Sequence, residues 1–232
     1  MAERFEIMEK AMVKMLEDRK YATLRDLLVT MNPSDIAGLF IDLEEKKIPL
    51  LFRLLPKELA AETFVEMETE AQELLIRSFS DNELKEIISE LYADDAADLV
   101  EEMPANEVQR ILKQADPEMR LAINQLLKYE ENTAGSIMTT EYVSLRPEMT
   151  VEEAILRIRR QGVDKETIYT CYVTKDRTLL GLVTVKDLLL AEDDELRVKD
   201  LMETNIISVT TLADQEEVAQ MFNKYDFLAL PA

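Results

Sequence analysis

Near Glu130 the apolar pattern of this 232-residue chain changes period, and that change limits the fold more than any other feature. From Met1 to about Tyr129 the apolar side chains recur at helical spacing, as in Leu24, Leu27, Leu28 and Met31, and Gly38 is the only glycine. That half is expected to be all-helical. Similar short units recur within it. Pro33-Ser34-Asp35-Ile36-Ala37 is followed by Leu43, and Pro56-Lys57-Glu58-Leu59-Ala60 is followed at nearly the same distance by Met67. The two prolines are twenty-three positions apart by subtraction, and further units begin near Ser80-Asp81, Ala93-Asp94 and Pro104-Ala105. Each starts on a Pro, Ser or Asp suited to a helix N-terminus, so the reading is a stack of short antiparallel helices in a right- or left-handed superhelical repeat.

After Thr133-Ala134-Gly135-Ser136 the β-branched runs begin: Tyr142-Val143-Ser144-Leu145, then Ile168 to Val173, then Leu179 to Val185. The expected order is a short leading segment (Ser136 to Thr139), a strand at Val143, a helix from Thr150 to Arg160 and a strand ending at Val173. A turn at Lys175-Asp176-Arg177, a strand at Val183 and a helix beginning at Thr184 complete that round. A second round opens at Val198-Lys199-Asp200-Leu201-Met202, runs through Ile206 to Val209 and enters a helix from about Asp214 to Tyr225. The chain then ends where another strand and a final helix are expected. The fold class is multidomain α and α/β, with domains expected at 1–130, 131–200 and 201–232.

Composition narrows the function. The chain holds 48 acidic and 27 basic residues, a formal net charge of −21, which argues against nucleic acid or an anionic lipid surface as partner. No run reaches the roughly 20 apolar residues of a membrane-spanning helix. Histidine is absent and Cys171 is the only cysteine, which argues against zinc, haem, disulfides and histidine-based catalysis, and points to a reducing compartment. From Asp81 to Glu107 there are ten acidic residues and one basic, Lys85. Within that stretch Asp94 and Asp98 are four apart, so they share a helix face where like charges repel and a hard divalent cation would relieve the repulsion. The alternative reading of the same aspartates is that they favour the start of a helix.

The second half resembles a tandem CBS module, on its leading Met138-Thr139 and Leu201-Met202 and on the closing Gly181-Leu182-Val183-Thr184-Val185-Lys186-Asp187-Leu188. With the acidic repeat region before it and the junction Tyr129-Glu130-Glu131-Asn132-Thr133-Ala134-Gly135-Ser136-Ile137-Met138-Thr139, the chain resembles the cytosolic part of MgtE-type magnesium transporters over nearly its whole length. The resemblance implies a first CBS unit, the start of a second, and a homodimer formed through the CBS domains. It also implies a transmembrane pore beyond residue 232 and a place on the cytoplasmic face of the cell membrane. Its expected ligand is Mg2+, which draws the acidic domains together and favours closure of the pore. Carried over residue by residue, Glu62, Asp94 and Asp98 match acidic positions of the amino-terminal domain, and Glu216, Asn223 and Asp226 match positions in the second CBS unit.

Thr184 and Asp187 carry a separate expectation. In nucleotide-binding CBS domains a Thr and Asp at these places contact phosphate and ribose, so ATP or a related adenine nucleotide is a second candidate ligand. The same two residues also suit a plain helix cap. The competing functional class is therefore an adenine-nucleotide-responsive CBS regulator with a helical protein-interaction domain. No catalytic constellation is present in the sequence, and the chain is expected not to be an enzyme.

Overall fold

The computed structural model describes residues 2–41 and 43–232, with the backbone alone at residues 2–7, 9 and 164. Two compact units emerge, one from residues 1–91 and 95–121, the other from residues 92–94 and 122–232.

The described residues of the first region form α1 (Ala2–Glu17), α2 (Tyr21–Leu28), α3 (Pro33–Ile41), α4 (Ile48–Phe52), α5 (Lys57–Val65), α6 (Thr69–Ser78), α7 (Asp81–Ile88), α8 (Ala93–Glu102), α9 (Ala105–Gln114) and α10 (Pro117–Leu126). The helices α3, α5, α7 and α9 begin at Pro33, Lys57, Asp81 and Ala105, each twenty-four positions after the last by subtraction. A second series, α6, α8 and α10, begins at Thr69, Ala93 and Pro117 with the same interval. The spacing of Pro33 and Pro56 is one shorter because Pro33 is the first residue of its helix whereas Pro56 is an N-cap. Packing follows the register: α3 lies on α5, α5 on α7 and α7 on α9, with α4 on α6.

The core repeats with the same period. Leu51, Leu75, Leu99 and Ile123 are all buried, as are Leu43, Met67, Leu91 and Ala115. A short amphipathic helix cannot cover its own apolar stripe, so each hairpin uses its neighbours to do so. Charged groups then tie consecutive hairpins: Arg53 donates to Glu83 at 2.6 Å, Lys57 to Glu90 at 2.5 Å, and Thr69 to Glu102 at 2.5 Å. Arg110 donates to the carbonyls of Ile76 and Phe79 at the end of α6, adding to the Ile76 carbonyl's bond from the Phe79 N–H.

The second unit is built on a three-stranded sheet of β1 (Val143–Leu145), β2 (Thr170–Lys175) and β3 (Thr178–Thr184), in that order. β1 and β2 are parallel and joined through α11 (Val151–Gln161), and β2 and β3 are antiparallel. α12 (Val185–Leu189), α13 (Val198–Leu201) and α14 (Gln215–Tyr225) follow. Val143, Leu145, Cys171, Val173 and Val183 of the sheet pack with Val151, Ala154 and Ile158 of α11 in one core. Capping boxes pairing Thr150 with Glu153 and Thr184 with Asp187 fix the starts of α11 and α12. Gly181 is needed where the chain returns to β3, since a Cβ there would lie 2.8 Å from the carbonyl oxygen of Glu203 and 2.8 Å from the Met202 sulfur. That close approach permits the paired bonds of Leu182 N to Glu203 O (3.0 Å) and Glu203 N to Leu182 O (2.8 Å). The run from Ile206 to Val209, through which the second round was expected to pass, joins no ladder among the described residues; Val209 N donates to Pro231 O at 3.0 Å.

Candidate functional site: an acidic helix and an apolar cleft

Helix α8 has the sequence ADDAADLVEE, rich in acids and without a basic residue. Ala96, Ala97, Leu99 and Val100 are buried, while Asp98, Glu101 and Glu102 are exposed and Asp94 and Asp95 partly so. Asp94 and Asp98 fall on one face, about 6 Å apart at Cβ for a pair one helix turn apart. Partial desolvation of its carboxyl, and then the Glu102 carboxylate one turn on, push the Asp98 pKa up from its ordinary value. The charged form is held at a cost that a cation would remove. The helix end adds to that cost, because its last turn carries two acids where the macrodipole favours cations.

The repeat register singles out the same residue. One and two repeats before Asp98 stand Leu74 and Leu50, and one repeat after it stands Ala122. Position 98 therefore exchanges an apolar repeat residue for an exposed carboxylate, a departure that aligning the repeats on their common period would have revealed from sequence. Glu62, on α5, is also exposed.

On α14, Asp214 caps the helix by accepting from the Glu216 N–H at 2.8 Å, and Glu216 stands exposed in the first turn. Asn223 and Asp226 are exposed at the other end, where Asp226 forms the C-cap in the left-handed conformation (φ 52°). The length of the helix puts Glu216 and Asp226 about 15 Å apart, so they do not share one ion. Among the described residues no group of three or more His, Cys, Asp or Glu side chains converges to hold a metal. The donors present suit a magnesium ion that keeps most of its water and touches one or two carboxylates, and they do not suit a dehydrated cage.

A cleft of about 800 Å3 opens within the second unit, and Thr184 and Asp226 both line it. Its apolar wall includes Leu182, Val185, Ile207 and Phe227, and Lys186 is its one lysine or arginine. Asp187 does not line it. Its Oδ2 accepts from Thr184 N at 3.0 Å and from Thr184 Oγ1 at 2.5 Å, so Asp187 acts as the cap partner of α12. Thr184 thus serves as cap and cleft wall together. The sequence reading missed Lys186, Ile207 and Phe227, because their meeting depends on a long fold-back of the chain that no local pattern announces.

A stack of short helix pairs followed by a β-α-β-β-α unit with a Thr-x-x-Asp cap at the start of its closing helix defines a CBS-bearing protein. Residues 31–132 match the model of the MgtE intracellular N domain, and residues 134–194 match the CBS domain model. The magnesium transporter MgtE of Thermus thermophilus is 35% identical over 221 residues, and that of Bacillus subtilis 30% identical over 218, covering 93% and 94% of this chain. The chain spans about half the length of these relatives, 49% and 48%. A crystal structure of the cytosolic domain of the Mg2+ channel MgtE in complex with ATP superposes with a TM-score of 0.89 at 36% identity, covering 96% of this chain and 91% of that one. The soluble part of a magnesium transporter superposes with a TM-score of 0.87 at 30% identity, covering 98% of this chain and 90% of that one. The chain belongs to the MgtE family. No helix among the described residues is long and apolar enough to cross a membrane.

Proposed function

We propose that this chain senses magnesium for a transporter pore, with Mg2+ acting as a reversible bridge between acidic surfaces. The observation that carries the reading is Asp98, an exposed carboxylate raised above its ordinary pKa on an acid-rich helix with no base. Without the ion, charge repulsion opposes approach of the acidic surfaces. Hydrated magnesium, held by Asp94 and Asp98 on one side and by Glu216, Asn223 or Asp226 on the other, offsets that repulsion, and Glu62 extends the acidic surface of its helix. The compact state is then favoured only to the extent that it binds magnesium more tightly than the open one. Homodimerisation through the CBS domains, a pore beyond residue 232 and a position at the cytoplasmic face of the membrane complete the proposal. The role is regulatory and not enzymatic.

Small-angle scattering across a magnesium titration at fixed ionic strength tests it. A fall in radius of gyration that monovalent salt does not reproduce, and that Asp94→Asn with Asp98→Asn weakens, is expected. Compaction unchanged in that double variant overturns the roles given to the two aspartates.

The cleft supports a second ligand. Its apolar wall suits an adenine ring, Asp226 a ribose hydroxyl, and Lys186 a phosphate, in keeping with the ATP complex of the related cytosolic domain. Isothermal titration with ATP in the absence of magnesium is expected to give saturable binding that Phe227→Ala weakens. A Lys186→Gln variant and the unaltered chain binding ATP equally would remove Lys186 from the site.

A further inference from the structure

Helix α4 is short for its place in the repeat. It spans five residues, whereas α6, α8 and α10 each span ten. Pro49 stands in its first turn, and a proline, with its ring and without an N–H, cannot continue a helix begun a turn earlier, so residues 45–47 form a turn instead. The missing helical turn leaves a gap beside α6, a groove of about 380 Å3 that lies wholly within the first unit.

Ile41 at the end of α3, Ile48 at the start of α4, and Ala71 and Leu74 on α6 line the groove together with the buried Phe40 and Met67. Ile41 is 61% exposed and Leu74 partly so. The rim is acidic. Glu45, Glu68 and Glu70 stand there exposed, and none of the ion pairs among the described residues engages them. Arg77, the one basic residue of the lining, is held by Glu73 and lies 3.8 Å from Glu107.

This combination selects the class of occupant. The rim repels a small anion, and a divalent cation finds no converging set of carboxylates among the described residues. A purely apolar ligand leaves the rim charges unanswered. A basic amphipathic helix meets both demands: aliphatic side chains one turn apart enter the gap while lysines or arginines on its flanks reach the rim.

We propose that this groove docks a basic amphipathic helix of a partner protein, with Ile41 and Leu74 as apolar walls and Glu45, Glu68 and Glu70 as the charges that orient it. The groove holds none of the residues given to magnesium, so it stands or falls independently of the sensing function.

NMR titration of the full chain with a synthetic helix of leucine and lysine in amphipathic order tests it, at about 0.15 M salt and without magnesium. A net charge of −21 draws any cationic peptide, so a peptide of the same composition in scrambled order measures that part. The ordered peptide is expected to bind saturably, to shift the amides of Ile41, Ala71 and Leu74, and to bind about tenfold or more tightly than the scrambled one. Ile41→Asp, at an exposed position, and the pair Glu68→Lys with Glu70→Lys are each expected to weaken it about tenfold. Equal binding of the two peptides, shifts centred on α8 instead, or affinity unchanged in the variants overturns the proposal. Should Ile41→Asp fail to fold, the charge-reversed pair alone decides. Sedimentation of the chain by itself closes the remaining alternative: a dimer that the charge-reversed pair abolishes would put a second copy in the groove and overturn the assignment to a basic partner.

Discussion

Thr63 is fully buried in α5, and its Oγ1 finds no hydrogen-bond partner among the described residues. The repeat register shows what the fold prefers at this place, because the equivalent positions are Leu39, Ile87 and Ile111, all buried. Thr63→Val replaces a hydroxyl by a methyl of nearly the same volume, so neither a cavity nor a clash follows. What changes is the desolvation of one unsatisfied hydroxyl, about 1–3 kcal/mol from mutational series. Allowing for some hydroxyl solvation lost in a compact unfolded state, a gain of about 1–2 kcal/mol is expected. For a helical unit of this size that raises its melting temperature by about 3–8 °C, measurable by circular dichroism. Thr63→Ala is the control, since it removes the hydroxyl and a methyl together and opens a small void, so its effect should fall near zero or below. A Thr63→Val variant no more stable than the unaltered chain would show that the hydroxyl is satisfied and would refute the reasoning.

Gly181→Ala places a Cβ against Glu203 O and Met202, so the segment holding these two residues must withdraw and the paired bonds between Leu182 and Glu203 weaken; a loss of about 2–4 kcal/mol in urea denaturation is expected. Glu83 is held at a pKa of about 2, first by its hydrogen bonds to Arg53. A lowered folded pKa gives stability that is present above the unfolded value of 4.5 and lost as pH falls toward 2. With the Arg53 and Glu83 side chains 41% and 35% exposed, the effect is screened to about 1 kcal/mol, so Arg53→Met should cost that at pH 7 and almost nothing near pH 2, read by denaturation at the two pH values. Asp98 has the opposite sign: its raised pKa is a penalty fully present above that value and relieved as pH falls through it. Asp98→Asn should therefore stabilise the magnesium-free protein at neutral pH by about 0.5 kcal/mol, the size of a like-charge pair one helix turn apart, and the gain should shrink in acid and in magnesium.

Much of this architecture was legible in the chain. Helical spacing through Leu24, Leu27 and Leu28 identified the all-helical region, and Pro56, Ser80 and Pro104 marked N-caps of α5, α7 and α9. Val143, Cys171, Val173 and Val183 fall on the strands the β-branched runs announced. Of the candidate site, the shared face of Asp94 and Asp98 was visible because one turn of a helix is a local relation. Thr184 and Asp187 were legible both as a ligand pair and as a cap, and only the bonds between them fixed Asp187 in the cap while Thr184 kept a place on the cleft.

Local rules thus determined the elements: periodicity, capping residues and β-branching act within a few positions, so one sequence carries them in the open. The tertiary structure alone decided which distant residues meet. Nothing in the sequence couples Asn132 to Gln215, brings Phe227 and Ile207 to the cleft of Thr184, or packs Gly135 against Tyr129 and Thr211. Those relations depend on packing between segments far apart in the chain, where the outcome is set by which apolar faces cover one another and not by any neighbouring residue.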